Sequence, residues 1–108
     1  KPSFSQEWVK SYSSNLETGI NFLDNSNYED ASVVLESAYE IAVNKNDSLK
    51  IVESGVQLAE AYYSTKSYEE GQELLFFLED FITPKTPSGI VAKSKLYLGY
   101  IYNGLGDY

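Results

Sequence analysis

The chain contains neither cysteine nor histidine among its 108 residues, and this removes several classes of chemistry. Without cysteine it forms no disulfide and carries no thiolate nucleophile, although the absence identifies no cellular compartment. Without histidine it has no Ser-His-Asp triad, no imidazole-based zinc site and no Glu-x-x-His di-iron site. Only carboxylate, lysine and tyrosine chemistry remains, and we expect no cofactor; a metal site built on carboxylates is considered below and is not expected either.

Basic residues and long apolar runs are also scarce. The chain has 8 Lys and Arg against 16 Asp and Glu, which leaves a net charge of −8. Nucleic acid and anionic membrane surfaces attract basic proteins, so this charge argues against both as partners. No apolar run approaches the roughly 20 residues that a membrane span needs. A basic or largely apolar partner fits better, and the simpler interpretation is that an acidic surface keeps the protein in solution.

The composition is that of one folded domain. The hydrophobic fraction of 43% and the charged fraction of 22% argue against global disorder. A chain of this length can bury one continuous core. It begins at Lys1 without a Met, so we expect a start that is processed or truncated, and we expect the domain to be a fragment of a longer protein.

An internal period of 40 residues runs through the chain. Tyr28, Tyr68 and Tyr108 follow one another at this spacing, within NYEDA, SYEEG and GDY. Ten residues before each tyrosine lies a small or apolar pair, at Thr18-Gly19, Leu58-Ala59 and Leu98-Gly99. An aromatic residue comes three positions after each pair, at Phe22, Tyr62 and Tyr102. Three copies in one register indicate an internal repeat.

Each copy contains the pattern of two amphipathic helices. Small and apolar residues after the tyrosines step by three and four, at Ala31, Leu35, Ala38 and Ala42 and again at Gly71, Leu75, Leu78 and Ile82. Before the tyrosines the stripes are Tyr12, Leu16, Gly19 and Phe22, then Val52, Val56, Ala59 and Tyr62, then Ala92, Leu96, Gly99 and Tyr102. The pattern predicts helices near residues 5–24, 28–45, 47–65, 68–82 and 88–104.

Capping residues and helix breakers support these boundaries. Asp47 can cap the helix that follows it. The stretch TPKTPSG, residues 83–89, ends the fourth helix, and its second proline suits the first turn of the fifth. Two capping boxes are predicted, Ser67 with Glu70 and, in a weaker form, Asn27 with Asp30.

The stretch DNSNYEDASVVLE, residues 24–36, begins like the oxygen-rich loop of a calcium site. An EF-hand loop starting at Asp24 needs Gly at its sixth position and Glu at its twelfth. Those positions hold Glu29 and Leu35, and the stretch one period later has no calcium ligands in order. The sequence therefore predicts a polar turn between two helices, with Tyr28 beginning the second.

These copies resemble the tetratricopeptide repeat (TPR) family. Its pattern has Leu followed by Gly or Ala, an aromatic residue three positions on, a turn with Gly-x-Tyr, and Ala three residues after the Tyr. LAEAYYSTKSYEEG (58–71) matches most of this, LGYIYNGLGDY (98–108) matches the first half, and TGINFLDNSNYEDA (18–31) matches more loosely. The usual period is about 34 residues. A longer period is similar to variants in kinesin light chains and in bacterial regulators and peptide-sensing proteins.

The resemblance implies an all-α fold, a right-handed α-solenoid of antiparallel helical hairpins with about two and a half repeats. Gly19, Ala59 and Gly99 would lie where the two helices of a hairpin approach each other. The partial repeat would leave an apolar helix face uncovered, to be covered by the rest of a longer protein or by another chain. One domain would span residues 1–108, with repeats near 5–45 and 46–85 and a partial repeat near 86–108.

In the resembling family the first helix of each repeat lines a concave groove that binds an extended peptide or a helix. The matching positions suit a partner with a basic segment beside an apolar anchor. Tyr97 and Tyr100 are candidate anchors, since aromatic residues dominate binding hot spots, or they pack on a neighbouring repeat. The candidate groove residues are Glu17, Ile20, Asp24, Glu53, Gln57, Glu60, Lys93, Tyr97 and Tyr100, with Ser13, Ser64 and Gly104 beside them.

The predicted function is that of a protein-interaction or peptide-binding module in a larger scaffold or signalling regulator. Leu16 and Ile20 stand where family members that grip a C-terminal carboxylate have Lys and Asn, so that binding mode is rejected. Two alternatives stay open: an oligomerisation module that self-associates through the exposed end of the stack, and a peptide sensor whose superhelix changes curvature. An enzyme with paired carboxylates is not expected, because no local context singles out a pair.

Overall fold

The computed structural model describes residues 4–106, with side chains described from Glu7 onward, and within this range it is all-helical without strands. The helices are α1 Phe4–Asp24, α2 Tyr28–Asn44, α3 Ser48–Ser64, α4 Tyr68–Glu79 and α5 Ser88–Gly106. The all-α class is confirmed, and so are the five helices. Two ends differ from prediction by more than one residue: α4 stops before residue 82, and α5 continues beyond residue 104. Tyr108, the last tyrosine of the period, lies outside the described residues.

The first three connections are the same tight turn. Between α2 and α3 the N–H of Asn46 donates to the carbonyl oxygen of Val43 at 3.0 Å, and the N–H of Asp47 donates to that of Ala42 at 3.2 Å. This is the Schellman motif, which closes a helix with one residue in the left-handed conformation. Equivalent bonds close α1 and α3. The left-handed residues are Ser26, Asn46 and Lys66, with φ of 61°, 53° and 63°.

These turns explain the 40-residue period of the sequence. The helices α2, α3, α4 and α5 begin at residues 28, 48, 68 and 88, which is a constant interval of 20. Both α2 and α3 have 17 residues, and a three-residue turn follows each of them. One sequence period is therefore two successive units of one helix and one turn.

Replacing Lys66 with Gly is expected to raise the free energy of unfolding by up to about 1 kcal/mol. A non-glycine residue in the left-handed conformation costs about 1–2 kcal/mol, and Gly removes this cost. Gly also has greater conformational entropy in the unfolded chain, which offsets about 0.5–1 kcal/mol of that gain. Asn46→Gly is the matched control and should gain less, because Asn tolerates this conformation. Urea denaturation followed by circular dichroism measures both, and equal gains would contradict the explanation.

The helix α4 ends early because its last turn tightens before a proline. The N–H of Phe81 donates to the carbonyl oxygen of Leu78 at 2.9 Å, and the N–H of Ile82 donates to that of Glu79 at 3.3 Å. This i to i−3 pattern is a 3₁₀ turn. Pro84 then disfavours the helical conformation of the residue before it. Phe81 and Ile82 stay half-buried, so the apolar stripe extends past the end of the helix.

Of the predicted caps, only that of Asp47 is confirmed: its carboxylate accepts a hydrogen bond from the N–H of Lys50 at 3.0 Å. The predicted capping boxes at Asn27 and Ser67 are wrong, since neither side chain makes a capping hydrogen bond. The backbone ψ is 99° at Asp47, but 68° at Asn27 and 62° at Ser67. Only the extended backbone at Asp47 directs the side chain back to the first helical turn. The Ser67 hydroxyl lies instead 3.2 Å from that of Thr65.

The helices pack in chain order, α1 against α2, α2 against α3 and α3 against α4. The last helix, α5, contacts both α3 and α4, and α1 also touches α3. Close contacts join Gly19 to Leu35 and Gly55 to Leu78, positions at similar distances from the turn between their helices. The helices of these two pairs, α1 with α2 and α3 with α4, therefore run antiparallel.

Small residues let neighbouring helices approach closely, as predicted for Gly19. A Cβ added there would lie 2.4 Å from Cδ2 of Leu35, so no side chain fits without movement of that leucine. Gly55, which the sequence analysis did not single out, has the same relation to Leu78 at 2.6 Å. At Gly99, which lies on the stripe of α5 that no described helix covers, a Cβ would meet nothing within 4 Å.

The predicted apolar stripes form the core on the first four helices. On α5 the predicted stripe is exposed, as expected for an uncovered face, and the helix is attached through Ile101, which is fully buried. A Cβ added to Gly71 would lie 2.7 Å from Cδ1 of Ile101, so this glycine allows α5 to pack closely against α4. The buried stripe residues are Tyr12, Gly19, Ala31, Leu35, Ala38, Ala42, Val52, Val56, Ala59, Gly71, Leu75 and Leu78.

Candidate functional site

The predicted groove residues lie on three helices, α1, α3 and α5. Because α3 contacts both α1 and α5, these helices form a continuous surface, called here the α1/α3/α5 face. The structure brings most of the residues together in two groups, one between α1 and α3 and one between α3 and α5. Asp24 is exposed at the end of α1 and does not line the cavity of the first group. The residues are Glu17, Ile20 and Asp24 on α1, Glu53, Gln57 and Glu60 on α3, and Lys93, Tyr97 and Tyr100 on α5.

The first group surrounds an open cavity of about 320 Å³ between α1 and α3. The predicted residues Glu17, Ile20 and Glu53 line it. Apolar side chains and two carboxylates thus border one depression, which suits a side chain with an apolar stem and a cationic head. The remaining lining residues are Tyr12, Ser13, Leu16, Asn21 and Lys50.

Tyr12 connects the walls of this cavity. Its ring is buried, and its hydroxyl lies 2.7 Å from Oε1 of Glu53 and 3.0 Å from the carbonyl oxygen of Lys50, both on α3. Burial, followed by the neighbouring Glu53 carboxylate, raises the pKa of Tyr12 well above its usual range. The phenol therefore remains a hydrogen-bond donor at neutral pH and orients Glu53 at the cavity.

The second group is organised by Lys93 on α5. Its Nζ lies 2.7 Å from Oε1 of Gln57 and 2.6 Å from Oε1 of Glu60, both on α3, and 5.9 Å from the centre of the Tyr97 ring. The sequence analysis placed this lysine among the candidate groove residues. In the structure its charge is already matched by Glu60, so Lys93 ties α5 to α3. The acidic character of this part of the face is reduced accordingly.

Tyr97 and Tyr100 belong to an aromatic cluster that includes two tyrosines the sequence analysis did not consider for the site. The ring of Tyr63 lies 5.7 Å from Tyr97, 5.5 Å from Tyr100 and 5.8 Å from Tyr68, between ring centres. Tyr97 and Tyr100 are 5.3 Å apart, edge to face. Burial, then the charge of Glu60, raises the pKa of Tyr97 to about 12. Tyr100 is 39% exposed and is the accessible part of the cluster.

Two further positions near this cluster differ from the sequence prediction. Gly104 was expected beside the groove, but a Cβ there would lie 2.8 Å from Cζ of Tyr68, so it is a packing position. Tyr63 follows Glu60 by three residues on α3, a spacing that places both on neighbouring positions of the helix surface. That spacing is the signal by which sequence reasoning could have included Tyr63.

A second cavity of about 510 Å³ lies among α2, α3 and α4. The hydroxyl of Tyr62 donates a hydrogen bond to Oε1 of Glu36 at 2.8 Å, and burial, followed by this carboxylate, raises the pKa of Tyr62 above its usual range. Glu70 and Glu73 of α4 are exposed, and at this cavity they lie beside carboxylates of α2. The lining residues are Glu36, Tyr39, Glu40, Leu58, Tyr62, Glu70, Glu73 and Leu74.

Other classes of site find no support in residues 4–106. Within this range, no three or more Asp or Glu side chains are grouped so that they could hold a metal ion. Of the helices described, none combines the length and apolar character needed to cross a membrane. No protein-family model, curated protein or solved structure matches the chain. Function is therefore inferred from the chemistry of the α1/α3/α5 face.

Proposed function

We propose that the chain is a protein-interaction module that holds a peptide or helix of its partner along the α1/α3/α5 face. The observation that carries this proposal is the alignment of two chemically distinct binding features on one surface. A cavity bordered by carboxylates lies between α1 and α3, and a tyrosine cluster lies between α3 and α5. An elongated partner can contact both features at once.

We also propose that the helices form a TPR-like, right-handed α-solenoid of antiparallel hairpins. Three features support this architecture. The helices from α2 onward start at intervals of 20 residues, and the first three turns have the same hydrogen bonds. The equivalent positions Gly19 and Ala59 are both buried between helices. A solenoid of this kind makes contacts only between neighbouring repeats and has an extended binding surface.

The charges of the face favour a partner with a basic segment. Glu17 and Glu53 border the cavity and have no lysine or arginine within salt-bridge distance among the described residues. Lys50 pairs with Asp47, and Lys93 pairs with Glu60. The chain as a whole carries a charge of −8, which accelerates encounter with a basic partner.

The aromatic cluster favours an apolar or aromatic anchor beside that basic segment. Tyr100 is 39% exposed and rests edge to face on Tyr97. Rigid, partly buried tyrosines lose little conformational entropy on binding and are frequent hot spots. The ring of Tyr63 packs edge to face against that of Tyr97, so the anchor site is preorganised in the free chain.

The test begins with affinity capture by the chain and identification of the captured proteins, followed by binding measurements with peptides from them. Replacing Tyr97 and Tyr100 with Ala together should weaken peptide binding at least about tenfold. Tyr102→Ala is the matched control, because this tyrosine is 49% exposed on α5 but belongs to the uncovered stripe. Circular dichroism verifies that each variant keeps its helix content.

Charge provides an independent readout of the same proposal. Glu17→Gln and Glu53→Gln should each weaken binding of a basic peptide, and added salt should weaken binding of the unaltered chain. If the tyrosine variant and the Tyr102→Ala control bind equally well, the partner site lies elsewhere. If binding does not change with salt or with either glutamate substitution, the proposal that the partner carries a basic segment is wrong.

A further inference from the structure

The net charge of the chain lies on two helices, α2 and α4. Each of them carries four acidic residues, together half of the 16 in the chain, and neither carries any of the 8 basic residues. The rest of the chain therefore holds equal numbers of both signs. An acidic surface that only kept the protein in solution would not need this segregation. The residues concerned are Glu29, Asp30, Glu36, Glu40, Glu69, Glu70, Glu73 and Glu79.

Part of this charge borders the cavity of about 510 Å³ among α2, α3 and α4, called here the α2/α4 groove. Within residues 4–106, α2 and α4 do not touch each other and both pack on α3, so the groove lies between them with α3 as its floor. Leu58 and Leu74 of its lining are buried, and Tyr39 and Tyr62 are half-buried. The groove thus combines an apolar and aromatic lining with charged sides.

The carboxylates of the groove have no cation beside them. Glu36 and Glu40 lie one turn apart on α2, and Glu70 and Glu73 lie one turn apart on α4, where like charges destabilise a helix. No lysine lines the groove, and both salt bridges among the described residues involve carboxylates elsewhere. The four carboxylates are therefore complementary to a positively charged partner, which would relieve their repulsion.

The aromatic rings of the groove are also available to a cation. Three lysines lie over aromatic rings in the described part of the chain, but those rings belong to α1 and α5. No such contact covers Tyr39 or Tyr62. The hydroxyl of Tyr62 donates to Oε1 of Glu36 at 2.8 Å, which positions that carboxylate beside the ring. A cation in the groove can therefore pair with a carboxylate and also contact an aromatic ring.

Arginine is the side chain that matches this lining best. Its planar guanidinium has five N–H donors, so it can pair with carboxylates from both sides of the groove and stack on a tyrosine ring. Its aliphatic stem can lie against Leu58 and Leu74. Lysine has one compact and strongly hydrated charge, which suits this lining less well. The other acidic residues of α2 and α4 suit further basic residues of the same segment.

We propose that the α2/α4 groove is a second interaction surface, which binds an arginine in a basic segment of a partner protein. Its lining shares no residue with the cavity or with the tyrosine cluster of the α1/α3/α5 face. The two surfaces can therefore be occupied at the same time, and each is tested by substitutions that leave the other unchanged. The charge concentrated on α2 and α4 also accelerates encounter with such a segment.

The test is fluorescence anisotropy of a labelled peptide of four Gly-Arg repeats, titrated with the 108-residue chain at physiological salt, where the Debye length is about 8 Å. Glu36→Gln combined with Glu73→Gln removes one carboxylate from each side of the groove and should raise the dissociation constant at least about tenfold. Glu29→Gln combined with Glu69→Gln is the matched control. It removes the same charge from the same helices at exposed positions outside the lining, so the constant should change less than about twofold. Circular dichroism verifies that both variants keep their helix content.

A peptide with lysine in place of arginine tests the choice of side chain, and it should bind at least about threefold more weakly. Equal binding of the two peptides would overturn that choice. Equal weakening by the two double variants would mean that diffuse charge holds the peptide, and it would overturn the groove as the site, as would a peptide that does not bind. Loss of binding only with Glu17→Gln and Glu53→Gln would assign the peptide to the α1/α3/α5 face. Binding of spermidine at the groove, without binding of the peptide, would replace the protein partner with a free polyamine.

Discussion

Replacing Leu35 with Ala is expected to lower the free energy of unfolding by about 3–4 kcal/mol. Leu35 is completely buried in α2 and lies directly over Gly19 of α1. Removal of a buried leucine loses its transfer free energy and leaves a cavity, which together cost about 2–5 kcal/mol. The lower end of this range does not apply, because neighbouring helices are already in close contact and cannot collapse further into the cavity. Urea denaturation followed by circular dichroism measures the loss.

Two glycine variants test whether the closeness of the helices is the cause. Gly19→Ala should destabilise the chain, because its Cβ would overlap Leu35, and overpacking costs about 1–3 kcal/mol. Gly99→Ala should stabilise the chain by about 0.5–1 kcal/mol, since it adds only helix propensity in open space. Both are measured by urea denaturation followed by circular dichroism. If both substitutions stabilise equally, the contact between α1 and α2 is not as tight as the structure has it.

The combination of Gly19→Ala with Leu35→Ala should cost less than the sum of the single changes. The smaller side chain at position 35 removes the overlap, and the added methyl group fills part of the cavity. Residues in direct contact commonly show such coupling, of about 0.5–3 kcal/mol. Strict additivity would mean that Gly19 and Leu35 do not share one packing site.

Replacing Tyr12 with Ala is expected to lower the free energy of unfolding by about 3–5 kcal/mol, the usual cost of truncating a buried aromatic side chain. Tyr12 is 1% exposed and joins α1 to α3 through its hydroxyl. Tyr12→Phe keeps the ring and removes only the hydrogen bonds to Lys50 and Glu53, so it should cost about 1–2 kcal/mol. Denaturation of the three proteins under the same conditions separates the contribution of packing from that of the hydroxyl.

Alkaline pH gives a second readout for Tyr12. Because burial raises its pKa in the folded chain above the ordinary value of 10.0, the unfolded chain releases this proton first. The associated stability is therefore present below about pH 10 and is lost as the pH rises further. Tyr12→Phe should show a shallower alkaline loss of stability than the unaltered chain. Equal slopes would place the alkaline sensitivity in other tyrosines, such as Tyr62.

The helices and most of the core were predictable because they depend on local spacing. The steps of three and four residues at Ala31, Leu35, Ala38 and Ala42 place one helix face toward a neighbour, whichever neighbour that is. The cap at Asp47 was equally local. The caps at Asn27 and Ser67 were not, because their side-chain geometry depends on a backbone angle that the Schellman turn before them imposes.

The candidate site was predictable only as a set of positions. The register of the repeat placed Glu53, Gln57 and Glu60 on one side of α3 and Lys93 and Tyr97 on one side of α5. It did not reveal that Lys93 is bound by Gln57 and Glu60, because such a contact joins residues more than 30 positions apart. The aromatic cluster was incomplete for the same reason, since Tyr63 meets Tyr97 and Tyr100 only after α5 has packed on α3.

The sequence by itself determined the number and approximate boundaries of the helices, the 40-residue register and most of the stripe residues that the first four helices bury, since these follow from backbone geometry and spacing. The tertiary structure alone decided which small residues lie in close contact with a neighbouring helix, which charges are already paired and which apolar stripe has no neighbour. Gly19 and Gly99 occupy the same position in the repeat, yet one lies under a leucine and the other faces open space. The physical reason is that spacing specifies the direction of a side chain, whereas packing specifies what that side chain meets.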